Sequence, residues 1–219
     1  MGVILLLMTI LGAACATVAL AFAIFTKRNG FRNSVVIGAI AWCVLYAIAL
    51  VGLSFLSEPS TIAMNQPKVF CGFYIDCHLH ASVTDVRKSK SIGNLTARGE
   101  FNVVTVRVFS DARDPSISMR LLEPSARVLD GRGLIHQRDT EAEKLLPSAT
   151  VSLDQDVKTN EPFEKEIVFD LPDDAFAARL DISEGYGIDK FIEAILIGDE
   201  DSLWHARKYL SLEKNNPKL

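Results

Sequence analysis

Ionisable side chains are almost absent from the first 57 residues, where Lys27, Arg28 and Arg32 are the only charged ones. They separate two uncharged apolar runs, residues 3–26 and 34–57. A helix needs about 20 apolar residues to cross a hydrocarbon core of about 30 Å. Each run is long enough, so the sequence predicts two transmembrane helices that form an antiparallel hairpin around a short basic loop.

Positive charge is missing ahead of the first run, where a secretory signal peptide carries it. Only Met1 and Gly2 precede this run, and Lys27 follows it at once, so we expect a membrane helix that is not cleaved. The positive-inside rule keeps the basic loop in the cytoplasm. The sequence therefore predicts a two-pass protein of the bacterial cytoplasmic membrane, with the N-terminus and everything after Ser57 on the periplasmic side.

No Asp, Glu, Lys, Arg or His lies inside either run. An ion pathway or proton relay normally leaves such a residue within a helix, so anchoring or assembly is a better interpretation than transport. Small residues, Gly12 and Ala16 in the first helix and Gly38 in the second, predict close helix packing, within the hairpin or against another protein. The expected partners are the lipid bilayer and other membrane-protein subunits.

Residues 58–67 are predicted to be a linker, because Pro59 and Pro67 bracket small and polar residues. Beyond it, residues 68–219 carry 20 Lys and Arg against 26 Asp and Glu, a formal net charge of −6. Nucleic acid and anionic headgroups select a basic surface, so this acidic balance disfavours both as main partners. The segment is long enough to bury a single core.

A period of two dominates residues 68–219. The clearest alternation lies at residues 70–85, 100–110 and 163–171. Shorter strands are predicted at residues 116–122, 126–130, 133–137, 178–183, 191–197 and 208–212. Asp130-Gly131 predicts a hairpin turn, and residues 139–146 predict one short helix. Short strands without alternating helices predict an antiparallel β-sandwich.

Four stretches of this segment resemble bacterial membrane-tethered immunoglobulin-like domains of unknown function. They are YIDCHLHASVTDV, GEFNVVTVRVFSDA, VLDGRG and EPFEKEIVFDLPDDA. Together they cover most of residues 70–185, with Ser110-Asp111-Ala112 where those domains often have Asn. The resemblance implies an extracytoplasmic immunoglobulin-like sandwich and no active site. The predicted fold class is thus α+β by segments, with a helical hairpin (1–57), a linker (58–67) and an all-β immunoglobulin-like antiparallel sandwich (68–219).

Asp76, His78 and His80 share one face of a predicted strand at two-residue spacing. A strand presents two imidazoles to one metal ion in this way, and zinc or copper suits imidazole ligands. A third ligand from another strand would be needed, such as His136 or a carboxylate. Two nearby histidines on a solvated face are more commonly surface or interface residues. A protein without cofactor is therefore the main expectation, and an extracytoplasmic metal-binding or metal-delivery domain is the alternative.

Cysteine is scarce, with four in the chain. Cys71 and Cys77 lie in a compartment expected to be oxidising, which favours a disulfide bond. Six residues of straight strand span about 20 Å, beyond the reach of a bridge, whereas Gly72 would permit a turn that joins them. Both alternatives stay open. Cys15 and Cys43 lie in the predicted membrane helices and are expected to pack as apolar residues.

Common catalytic motifs are missing, since the chain has no Gly-x-Ser-x-Gly, no phosphate-binding glycine loop and no His-Glu-x-x-His. We therefore expect a non-catalytic accessory or scaffolding subunit of a larger membrane complex, which displays a β-sandwich in the periplasm. Residues 85–98 are expected to be a basic connecting loop. Trp204 is expected to pack on the sandwich or on a partner.

Overall fold

The computed structural model describes residues 2–72 and 76–213. Within them the chain forms four helices and nine strands. In chain order they are α1 (Gly2–Phe25), α2 (Asn29–Phe55), β1 (Ser60–Ile62), β2 (Lys68–Gly72), β3 (Asp76–Ile92), β4 (Leu95–Ser110), β5 (Ser125–Leu129), β6 (Ile135–Gln137), α3 (Thr140–Glu143), β7 (Phe163–Leu171), β8 (Arg179–Ser183), α4 (Gly187–Ile195) and β9 (Lys208–Ser211).

The chain divides into two compact units. One comprises Met1–Glu58 together with Gly187–Arg207, and the other comprises Pro59–Tyr186 together with Lys208–Leu219. We call them the helical unit and the β unit. The helical unit therefore contains α1, α2 and α4, and the β unit contains the nine strands and α3.

In the helical unit, α1 and α2 are 24 and 27 residues long and apolar enough to cross a membrane. Most of their large apolar side chains are exposed. Trp42 Nε1 of α2 donates a hydrogen bond to Thr9 Oγ1 of α1 at 3.1 Å, which fixes the register of the two helices. The chain therefore begins with two apolar helices whose outer surface is suited to an apolar environment.

In the β unit, the strands form two sheets, ordered β1-β9-β8-β5-β6 and β2-β3-β4-β7. All pairs are antiparallel except β1 and β9, which are parallel. The alternate residues Val104, Val106 and Val108 of β4 are fully buried, together with Val128 of β5 and Leu180 of β8. The core therefore draws on both sheets, and it is filled by β-branched and leucine side chains.

Strand β4 is buried on both faces along part of its length. Phe101 and Val103, which alternate with the core valines, pack with Val168 of β7 and Ala142 of α3 in a second apolar cluster. Strand β4 consequently has a run of apolar residues rather than a simple alternation. Strands β3 and β4 are joined by Gly93 and Asn94, and Gly93 has a φ of 56°, which a glycine adopts without a steric penalty.

The long strand predicted at residues 70–85 is wrong. Strands β2 and β3 are antiparallel, with Lys68 opposite Ala81 and Phe70 opposite Leu79, so the chain reverses within this stretch. The most buried residues are even-numbered in β2 (Lys68 and Phe70) and odd-numbered in β3 (Leu79, Ala81 and Val83), so one uninterrupted alternation does not describe both strands.

Four further expectations are corrected. Residues 85–98 are the paired ends of β3 and β4, not a loop. Residues 191–197 were predicted as a strand, but α4 covers most of them. Residues 116–122 contain an isolated bridge from Met119 to Val157 and not a strand. The linker contains β1, which sequence analysis missed because three residues are too few to show periodicity.

Candidate functional site

The imidazoles of His78 and His80 meet at Asp111, the residue that follows β4. His78 Nδ1 lies 2.7 Å from Asp111 Oδ1, and His80 Nε2 lies 3.1 Å from the same oxygen. His80 is buried and stacks on Phe109, with ring centroids 5.0 Å apart. The two histidines therefore share a face, as the spacing predicts, and the carboxylate beside them comes from a segment that the motif did not include.

Contact with His78, and then with His80, lowers the pKa of Asp111 below its usual range. Asp111 is thus ionised beside the two rings under ordinary conditions. Both ring nitrogens of His80 are buried; Nε2 faces Asp111 Oδ1, and Nδ1 has no hydrogen-bond partner among the described residues. A buried ring nitrogen of this kind is costly unless another group approaches it.

The predicted metal ligands are only partly brought together. The side chain of Asp76 lies outside the described residues. His136 lies on β6 in the other sheet, where its Nε2 is 3.4 Å from Asp130 Oδ2. No group of three or more His, Cys, Asp or Glu side chains in the described part of the chain is placed to hold a metal ion.

Cys71 and Cys77 form a disulfide bond at the ends of β2 and β3. The reversal of the chain brings them together, with Cα atoms 3.9 Å apart. Sequence analysis left this bridge open because it depends on whether the strand is straight. The bond joins β2 to β3 at the residue immediately before His78. It therefore holds the start of β3, which carries both imidazoles, against β2.

The small residues predicted to pack the helices lie in different surroundings. A Cβ atom added at Gly12 or Gly38 would meet no atom within 4 Å, so neither glycine is at the contact between α1 and α2. Ala16 is half-buried. Packing of the two glycines within the hairpin is thus corrected, and their packing against another protein stays a prediction.

A groove of about 900 Å³ in the β unit was not predicted from the sequence. It lies among the start of β4, β6, the start of α3 and the end of β7. Its polar lining residues are Thr96, Arg98, His136, Gln137, Arg138, Asp139, Thr140, Glu141, Asp170 and Asp173. These side chains come from distant parts of the sequence, so no local motif could have shown the groove.

Most of the charged groups of the groove are engaged in structural contacts. Asp170 accepts the backbone N–H groups of Arg98 and Gly99 at 2.9 and 3.1 Å. Asp173 pairs with Lys90 at 2.6 Å, which raises the pKa of Lys90. The Arg98 side chain is exposed, and its guanidinium makes no hydrogen bond or ion pair within the described chain. Arginine presents a planar fork of donors that suits a carboxylate, and in the groove the fork of Arg98 is not used by a contact within the described chain.

No protein-family model matches this chain, and no curated protein matches it. Among solved structures, it is similar to MPT63, a secreted protein from Mycobacterium tuberculosis, with a TM-score of 0.42 and 14% identity over 58% of this chain and 98% of that one. It is also similar to a conserved hypothetical protein from Bacillus anthracis, with a TM-score of 0.37 and 19% identity over 54% of this chain and 89% of that one. Both neighbours have a β-sandwich-like fold, and the likeness concerns the fold alone.

Proposed function

We propose that this protein is a non-catalytic membrane protein, in which α1 and α2 anchor the β unit on the periplasmic side of a bacterial cytoplasmic membrane as an accessory or scaffolding subunit. The proposed anchoring rests on the exposed apolar surface of two helices of 24 and 27 residues. Such a surface is unfavourable in water and suited to lipid. The basic residues between the helices favour a cytoplasmic loop.

The accessory role is supported by what the β unit offers. Its groove has polar walls and the exposed Arg98, which suit recognition of a polar segment of another protein that presents one carboxylate to this arginine. The immunoglobulin-like character of the sandwich belongs to this proposal and rests on the sequence resemblance. The absence of common catalytic motifs in the sequence favours binding over catalysis.

Native thiols test the anchoring. Cys15 and Cys43 lie within α1 and α2, and both are exposed on the helix surface. In a bilayer they face hydrocarbon, where thiolates do not form, so a charged maleimide should leave them unmodified until detergent is added. Ser116→Cys, at an exposed position of the β unit, is the control and should react from the periplasmic side. Rapid labelling of Cys15 and Cys43 in intact membranes would refute the anchoring.

The accessory role is tested by extracting the native protein in a mild detergent and identifying by mass spectrometry what co-purifies. Partner subunits in stoichiometric amount support the proposal. A protein recovered alone, with the hairpin shown to be membrane-embedded, would contradict it.

Metal binding is a second candidate, and it is favoured by the imidazole nitrogens of His78 and His80, which converge on Asp111 Oδ1 at 2.7 and 3.1 Å. Zinc or copper would be the metal, because imidazole suits both. Equilibrium dialysis against Zn²⁺ should then show about one equivalent per chain. The double variant His78→Ala/His80→Ala should lose it, and His205→Ala should not. Equal binding by all three proteins would rule this candidate out.

A further inference from the structure

Residues Gly187–Arg207, here called the insertion segment, join β8 to β9, which are neighbouring antiparallel strands. A connection between neighbouring antiparallel strands can be as short as two residues. This one is much longer, and it packs with α1 and α2 in the helical unit. The insertion segment is therefore more than a turn of the β unit.

Three hydrogen bonds tie the insertion segment to the C-terminal half of α2 and to Ser57, two residues beyond its end. They join Tyr46 Oη to the carbonyl oxygen of Ile195 at 2.8 Å, Ser54 Oγ to Ser202 Oγ at 3.4 Å, and the backbone N–H of Ala206 to Ser57 Oγ at 2.7 Å. The rise of an α-helix places Tyr46 and Ser54 about 12 Å apart along the axis. The insertion segment thus runs beside the last third of α2, toward its C-terminal end.

The first helix of the chain also contacts this segment. Gly2 lies so close to the carbonyl oxygen of Ile197 that a Cβ atom would clash with it. Leu196 and Ile197 are buried within the helical unit, as is Leu50 of α2. The C-terminal end of α4 is therefore packed between the N-terminal end of α1 and the C-terminal half of α2.

The helix α4 is amphipathic. One face carries Ile188, Phe191, Ile192 and Ile195, and the opposite face carries Asp189, Lys190 and Glu193. Ile192 and Ile195 are half-buried, whereas Ile188 and Phe191 are 63% and 66% exposed. The apolar face is thus divided between residues that pack in the helical unit and residues that are uncovered.

Trp204 extends this uncovered apolar surface to the end of α2. Its indole stacks on Phe55, with ring centroids 5.9 Å apart and planes 9° from parallel. Both rings are largely exposed, at 64% for Trp204 and 71% for Phe55. Trp204 also has a φ of 61°, which bulky residues rarely adopt, so its position depends on local packing. The exposed apolar surface of α2 is therefore joined to the insertion segment through the contact between Phe55 and Trp204.

We propose that the insertion segment is a third membrane-seated element, with Ile188, Phe191, Leu203 and Trp204 inserted among the acyl chains at the outer surface of the bilayer. This inference rests on the proposed anchoring of α1 and α2. Helices that lie in the interface bury an apolar face about 5–10 Å below the headgroups, and tryptophan is enriched at that level. Trp204, stacked on the last residue of α2, is placed at that boundary.

The chemistry of the segment specifies hydrocarbon rather than anionic headgroups as the ligand. It contains five acidic residues and two basic ones, whereas helices that bind anionic lipids are rich in lysine and arginine. The insertion of the segment into the bilayer should therefore be the same in vesicles of neutral phosphatidylcholine and in vesicles that also contain an anionic lipid. Trp204 stacks on Phe55 within the helical unit, which corrects the expectation that it packs on the sandwich, and its packing on a partner stays a prediction.

The two tryptophans of the chain, Trp42 and Trp204, allow a direct test. The full chain is reconstituted in phosphatidylcholine vesicles as Trp42→Phe, which leaves Trp204 as the fluorophore, and as Trp204→Phe, which leaves Trp42. Lipids brominated near the headgroup should quench Trp204 more strongly than lipids brominated near the chain end, and the order should reverse for Trp42. Aqueous iodide should quench the fluorescence of Trp204 at least threefold less than that of a tryptophan introduced by Leu134→Trp. Leu134 is an exposed residue of the β unit.

The variants separate the two proposals. If Trp42 is not quenched by brominated lipid, the hairpin is not in the bilayer, and both the anchoring and this inference are refuted. If Trp42 is quenched by lipid and Trp204 only by iodide, the anchoring stands and the inference is overturned. Phe191→Trp in the absence of both native tryptophans reports on α4 itself, and strong quenching by iodide alone at that position would also overturn the inference.

Discussion

The Glu143 carboxylate accepts a hydrogen bond from the backbone N–H of Val168 at 3.2 Å, so a side chain occupies the free edge of β7. The adjoining chain completes this cover. The N–H of Asp139 donates to the Val168 carbonyl at 2.8 Å, and Ser148 Oγ accepts the N–H of Glu166 at 3.0 Å. Strand β7 is the edge of its sheet, and an uncovered edge would pair with another chain.

We predict that Glu143→Ala lowers the free energy of unfolding by about 2–4 kcal/mol and promotes aggregation. The change leaves the N–H of Val168 without an acceptor. It also removes the carboxylate that Arg138 holds at 2.6 and 2.9 Å, and breaking a buried ion pair is costly. Urea denaturation followed by circular dichroism, with light scattering on the same samples, measures both effects.

Two variants control this prediction. Glu143→Gln keeps an acceptor for Val168 and should lose only about 1–2 kcal/mol. Glu141→Ala, on the same short helix but 71% exposed at its side chain, should change stability by less than about 0.5 kcal/mol. If Glu141→Ala and Glu143→Ala are equally stable, the edge is not protected by Glu143.

Sequence analysis predicted the two apolar helices and most strands of the β unit, because both signals are local. The helices required only length and composition, and β7 was predicted with its observed bounds. What it missed depends on contacts between distant residues. Asp111 is 33 residues from His78, and the groove collects side chains from four elements and from the segments that follow β6 and β7. The pairing of β1 with β9 joins the two ends of the β unit.

Residues 191–197 show why a local pattern can mislead. The run FIEAILI contains five large apolar residues, and a short apolar run does not distinguish a buried strand from a helix. The preceding Ile188, which completes the helical face, lies three residues before Phe191. The interval predicted as a strand starts at Phe191, one helical turn after Ile188. It therefore leaves out the residue that would have shown the helical period.

Asp130 should make the β unit sensitive to acid. Its side chain is fully buried, and burial acts to raise the pKa. The N–H of Leu134 and the guanidinium of Arg132 outweigh that effect, and His136 and the N–H of Arg132 assist them, so the pKa is lowered to about 2. A carboxyl group with a lowered pKa stabilises the fold above its unfolded pKa of 3.8, and this stabilisation is lost as the pH falls toward about 2.

We therefore expect Asp130→Asn to lower the thermal midpoint at neutral pH by about 5–10 °C. The difference from the native protein should narrow below about pH 4 and vanish near about pH 2. Scanning calorimetry of the full chain in nanodiscs at a series of pH values measures it. Asp156→Asn removes the same charge from an exposed site and should stay within about 1 °C of the native protein. A difference that does not depend on pH would show that the Asp130 carboxylate is not responsible.

The bond between Cys71 and Cys77 should stabilise the β2–β3 hairpin modestly, because it closes a short loop. Loop-closure entropy for a separation of 6 residues amounts to about 2 kcal/mol. The double variant Cys71→Ser/Cys77→Ser should thus unfold about 4–8 °C below the native protein. Cys15→Ser, in α1, should leave the thermal midpoint unchanged.

Alkylation under denaturing conditions checks that the bond forms. Two of the four cysteines should be modified before reduction and all four after it. Modification of all four without reductant would contradict the bridge and, with it, the expected loss of stability.

The last prediction concerns the groove and the partner that it is proposed to bind. Arg98 lies on the groove wall, where its backbone N–H is fixed by Asp170 at 2.9 Å, and its exposed side chain can donate two parallel hydrogen bonds to a carboxylate. Arg98→Glu would place like charges together at that contact. Loss of one central arginine contact costs more than about 1.4 kcal/mol, which is a tenfold change in affinity.

The amount of partner subunit that co-purifies with each Arg98→Glu chain should accordingly be at least tenfold lower than with the native protein. Quantitative mass spectrometry of detergent extracts measures this ratio. Arg120→Glu reverses the same charge at an exposed residue outside the groove lining and should retain the subunit. Arg98→Lys keeps the charge and loses the planar fork, so it should give an intermediate ratio. If both glutamate variants retain the subunit, the partner binds elsewhere on the chain. If both lose it, the contact depends on general charge and not on the geometry of the groove.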